Sequence, residues 1–128
     1  MGGNALPLLD PAVLDRLREG LDDDGGVWKV FIHNFIALLP TRLQKLRLAL
    51  TTGDLSGALD AVLSLKTSSQ MVGAERLADL AAGLERSIRL DTRHAEPERL
   101  LPRLAADHLP RITRCSRQTT DLLLKYLS

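Results

Sequence analysis

The sequence contains one cysteine, Cys115, so it can form no internal disulfide and suits a reducing compartment such as the cytoplasm. Aromatic residues are scarce as well, at 3% of the chain. A core without them must be built of Leu, Ala, Val and Ile, which points to helices, because strands favour aromatic and β-branched residues. Neither sign of charge prevails: the formal net charge is +1, which supports neither a nucleic-acid footprint nor an acidic tail. No apolar run approaches the roughly 18 residues a membrane span needs. The opening Met1-Gly2-Gly3-Asn4 lacks the basic region and apolar stretch of a secretory signal, so none is expected. Internal repeats and low-complexity runs are also missing. What is present, 128 residues with 45% hydrophobic and 26% charged, is enough for one soluble domain, residues 1–128, with a real core.

Apolar spacing divides the chain into helices. Asp10-Pro11 opens the first, Asp as cap and Pro at the first helical position, with Val13, Leu14, Leu17 and Leu21 as its stripe. Asp22-Asp23-Asp24-Gly25-Gly26 ends it; the run lacks the alternating ligands and closing Glu of a Ca²⁺ loop, so a solvated turn is expected and no metal. A second helix is predicted from about Val27 to Leu50, kinked at Pro40, with Val27, Val30, Phe31, Asn34, Phe35, Leu38, Leu39, Leu43, Leu46 and Leu50 towards the core. Trp28 and Phe31 are expected to pack, an exposed docking patch around the Trp being the alternative. Thr51-Thr52-Gly53-Asp54 is a turn and a cap.

The third helix follows, with Leu55, Ala58, Leu59, Val62, Leu65 and Val72 recurring at helical spacing before Gly73 ends it. A fourth carries Leu77, Leu80, Ala81, Leu84 and Ile88 and should run antiparallel to the third across so short a connection. After an irregular link around Asp91 to Glu96, the pattern Leu100, Leu101, Leu104, Leu109, Ile112, Leu122, Leu123 and Tyr126 predicts one long helix, or two pieces divided near Pro110. Arg93, Arg99, Arg103, Arg111, Arg114 and Arg117 make this end mildly basic. A solvated surface is the expectation; contact with a partner or a membrane surface is the alternative.

The stretch Leu65-Lys66-Thr67-Ser68-Ser69, with Gly73-Ala74 after it and Leu84-Glu85 near the end of the next helix, resembles the core motif of histidine-phosphotransfer (HPt) domains. Their motif reads roughly His-x-Leu-Lys-Gly-Ser-Ser. The resemblance implies an all-α, up-and-down antiparallel four-helix bundle with an extra N-terminal helix. It places Thr67 where the family has Gly, and Leu63 where it has the phospho-accepting His. A leucine has no lone pair with which to attack an acyl phosphate, and no His occurs between His33 and His94. No catalytic residue, cofactor or metal is therefore expected.

On a helix turning about 100° per residue, Leu63, Lys66, Thr67 and Gln70 form a flank beside the core, partly open to solvent. In the family that flank is the working surface, so these four are the candidate partner-binding residues, and a response-regulator receiver domain or a sensor kinase is the implied partner. Alternatively Leu63 is one more core residue, with Lys66 laying its stem over apolar surface. The function expected is a phosphorelay protein that binds without phosphotransfer. Its rivals are a homodimeric bundle outside any phosphorelay and phosphotransfer through His33, His94 or His108. None of the three histidines has metal-site or catalytic spacing.

Overall fold

The computed structural model describes residues 6–20 and 26–128. Five helices account for most of them: α1 (Pro11–Gly20), α2 (Val27–Thr51), α3 (Leu55–Met71), α4 (Glu75–Asp91) and α5 (Pro97–Leu127). No strand occurs among the described residues. Helix α2 packs on α3 and α5, and α4 packs on the same two, so the long helices close into a ring with α1 laid against α2. This is the up-and-down four-helix bundle with an added N-terminal helix. The predicted Leu21 and the Asp22–Asp24 run lie outside the described residues.

The local signals act as chemistry requires. The Ala12 N–H donates to Asp10 Oδ1 at 2.9 Å, and the Gly57 N–H to Asp54 Oδ1 at 3.0 Å, so both caps take up amides that the helices leave without partners. Between α3 and α4, Gly73 adopts φ +73°, and the Ala74 N–H reaches back to the Ser69 carbonyl at 2.8 Å. The same turn fastens the N-terminal segment. Gly73 O accepts from the Asp10 N–H at 2.8 Å, and Arg76 Nε donates to Leu6 O at 2.7 Å.

The core is aliphatic. Ile32, Leu46, Leu50, Val62, Leu65, Leu77, Leu84, Ile88, Leu101, Ile112 and Leu123 are fully buried, drawn from all four long helices. Trp28 is 6% exposed and meets Tyr126 edge to face at 5.7 Å, which excludes it from an exposed docking patch. The predicted face of α2 holds in part: Phe35, Leu39, Leu46 and Leu50 are buried and Trp28 packs as expected, but Val27, Val30, Asn34 and Leu38 are exposed and Ile32 turns inward in their place. Residues 27–39 are apolar on more than one side, so spacing alone admits two rotations, and burying the indole decides between them.

Gly53 predicts its own importance. It lies at φ +72°, and a Cβ there would stand 2.8 Å from the Cα of Glu98, backbone that cannot swing aside. We expect Gly53→Ala to destabilise the fold by about 2 kcal/mol or more, from the left-handed backbone and the clash together. A lower urea midpoint at unchanged m-value is the readout; an unchanged midpoint would show that this turn does not hold α5 against the α2–α3 end.

Candidate functional site: the α3–α4 edge

Helix α3 runs between α2 and α4 and divides its residues accordingly. Ala58, Val62, Leu65 and Ser69 form its buried line. On the α2 side, Ser64 Oγ accepts from Arg42 Nε at 3.4 Å. On the α4 side, Lys66 Nζ donates to Glu85 Oε1 at 2.7 Å, and Arg89 Nε donates to Glu85 Oε2 at 3.0 Å. One carboxylate, 14% exposed, thus holds two cations. The Lys66 ammonium beside it, with help from Arg89, keeps the Glu85 carboxyl below its ordinary value of 4.5, against the opposing effect of burial.

The four predicted flank residues lie along this edge. Leu63 and Lys66 are half-buried; Thr67 and Gln70 are exposed. Lys66 is not a free cation, since Glu85 engages it across the helix pair. Reading the sequence singled out Lys66 but gave Glu85 and Arg89 no role. The available signal was the Leu84-Glu85 pair, whose acid has no apolar task and needs a cation once α4 packs on α3.

Neither α3 nor α4 contains a histidine. His33 is exposed on α2, one and two turns before Ile36 and Pro40, which line the α5 side of that helix. His94 is exposed in the α4–α5 link. His108 is half-buried on α5, where burial and the neighbouring Arg111 push it towards the neutral form. Burial raises the Cys115 thiol, which is therefore a poor nucleophile. Among the described residues no three His, Cys, Asp or Glu side chains gather as a metal site would require, and no helix is long and apolar enough to cross a membrane.

The Lys66–Glu85 pair makes stability pH-dependent. A carboxyl lowered on folding adds stability above its unfolded value, and that contribution disappears as pH falls through the folded value. The expected result is that wild type is the more stable at neutral pH and that its advantage over Glu85→Gln shrinks below about pH 4.5. Urea midpoints across that range measure it, and a constant difference would mean that the pair is not formed in solution.

The sequence model of the Hpt domain matches residues 30–119, from α2 well into α5. The chain belongs to the Hpt domain family. Among solved structures it is similar to histidine-containing phosphotransfer protein B (HptB) from Pseudomonas aeruginosa PAO1. The two share 27% identity over 94% of this chain and 95% of that one, with a TM-score of 0.75. No curated protein matches the chain. Hpt domains are phosphotransfer carriers of phosphorelays, rather than enzymes in the usual sense, and they meet receiver domains or kinases. The chain is accordingly a phosphorelay signalling protein of the Hpt helical-bundle type.

Proposed function

We propose that this Hpt protein, one domain over residues 1–128 and working in the cytoplasm, docks a receiver domain or a sensor kinase through the flank of Leu63, Lys66, Thr67 and Gln70 and carries no phosphate. The observation that carries the proposal is the half-buried Leu63 on an α3 without any histidine, one turn before Lys66. Leu63 takes the place of the phospho-accepting His, and no neighbouring imidazole substitutes for it. Docking and chemistry separate here because docking needs shape and apolar contact, whereas transfer needs a lone pair. Leu63 supplies apolar area at the centre of the contact, and the Lys66–Glu85–Arg89 group supplies a polar rim. Such a protein would hold a response regulator or bridge it to another component without discharging it.

A titration of receiver domains from the same organism, with and without beryllofluoride as phosphoryl mimic, tests the surface. We expect Leu63→Asp to weaken binding by about tenfold or more, because a carboxylate would be desolvated at the centre of an apolar contact. Receivers that bind the variant as tightly as wild type would remove α3 from the interface.

A further inference from the structure

The helix ring has two opposed edges: α3–α4, which bears Leu63, and α2–α5 on the other side. A groove runs along the second. It consists of two cavities, about 570 and about 380 Å³, that share Thr113 and Arg117. The stretch of α5 that lines it, Pro102 to Asp121, is ~28 Å long at the helical rise per residue.

The two ends of the groove differ in chemistry. Arg47 from α2 with Arg114 and Arg117 from α5 bring three guanidinium groups to the larger cavity, and no carboxylate lines it. All three arginines are exposed, and none is engaged by a described carboxylate; the ion pairs of Glu85 lie on the opposite edge. The smaller cavity has Ile36, Leu39, Pro40 and Leu43 along its α2 wall, and Arg117 with one carboxylate, Asp121, along its α5 wall. Three guanidinium groups against the single carboxylate of Asp121 leave the groove net positive, so their placement beside an apolar strip favours an occupant that is acidic at one end and apolar at the other.

We propose that the α2–α5 groove docks an amphipathic helix of a partner protein, its carboxylates on Arg47, Arg114 and Arg117 and its apolar side chains on Ile36, Pro40 and Leu43. Helix-in-groove recognition needs such a long, half-apolar channel between two packed helices. A small polyanion would satisfy the arginines but leave the apolar half uncovered. A second copy of this chain is a poor occupant, since its exposed apolar row of Val27, Val30 and Leu38 lies on α2, a helix with no carboxylate to meet the arginines. With the α3 flank on the opposite edge, the groove gives the protein a second, independent contact, and this inference does not depend on what the Leu63 flank binds.

The test is an NMR titration of the ¹⁵N-labelled full chain with a synthetic helical peptide of about five turns, bearing Leu at helical spacing and a Glu cluster at one end. Expected are saturable amide shifts at Arg47, Thr113 and Arg117, retained in Leu63→Asp. Affinity should fall by about tenfold or more when Arg114→Glu and Arg117→Glu are combined. Circular dichroism of that double variant, whose changes are at exposed positions, checks that it is folded. No saturable shift at millimolar peptide, shifts confined to the α3–α4 edge, or equal binding of a peptide with Gln in place of each Glu would overturn the proposal. So would pyrophosphate matching the peptide, which would make the groove a small-anion site.

Discussion

Leu63→His turns the chain into a phosphate acceptor. After incubation with a phosphorylated receiver, the variant is expected to carry acid-labile, base-stable label, and wild type none. The expectation follows from what the substitution adds and what is already in place. An imidazole nitrogen supplies the nucleophile that leucine lacks. Lys66 follows one turn later; its Nζ is paired with Glu85 at 2.7 Å and offsets phosphoryl charge once it releases that carboxylate for a phosphoryl oxygen. The exchange requires little rearrangement, because residue 63 is half-buried at the edge of the core rather than inside it. A folded Leu63→His that still binds the receiver yet takes no label would show that α3 does not present this residue to the acyl phosphate.

Leu65→Ala has the second large effect, and on a different property. Leu65 is fully buried two residues from Leu63, among the aliphatic side chains of the bundle. Its truncation should cost about 3 kcal/mol through lost transfer energy and the cavity left behind. Leu63→Ala, at a half-buried position, should cost about 1 kcal/mol or less. Urea unfolding of both variants gives the comparison. Equal costs would mean that α3 is rotated from the arrangement described, with Leu63 in the core and no apolar centre left for docking.

The contrast between these neighbours shows how far the sequence was legible. Helix α4 has one clear apolar face, and on α3 the predicted Ala58, Val62 and Leu65 are buried although Ala61 and Leu63 are apolar off that line; the caps Asp10 and Asp54 marked two starts correctly. Helix α2 was harder, because the Val27 to Leu39 stretch offers apolar residues on several sides. The packing of Trp28 against Tyr126, together with burial of Ile32, Phe35 and Leu39, fixes the face, and such contacts join residues far apart in the chain. The sequence left α5 open between one helix and two. It is a single helix through Pro102 and Pro110. Pro110 is exposed, so the carbonyl it leaves without a donor can be hydrated, while Leu101, Leu104, Leu109 and Ile112 anchor both sides in the core.

The site was legible only in part, for a related reason. Lys66 stood out from the motif, but its pairing with Glu85 depends on how α3 and α4 are rotated against each other, which neither helix specifies alone. The basic character of the C-terminal third was visible as a composition. That Arg114 and Arg117 share a cavity with Arg47 required the α2–α5 packing, and a solvated surface was the natural reading before it.

The most direct test of the central claim uses the wild-type protein and a receiver from the same organism, phosphorylated with radiolabelled phosphate, following complex formation and the location of the label together. A complex in which all the label stays on the receiver is the predicted result. Acid-labile label on the chain, at His33, His94 or His108, would contradict it and make this protein a working phosphate carrier.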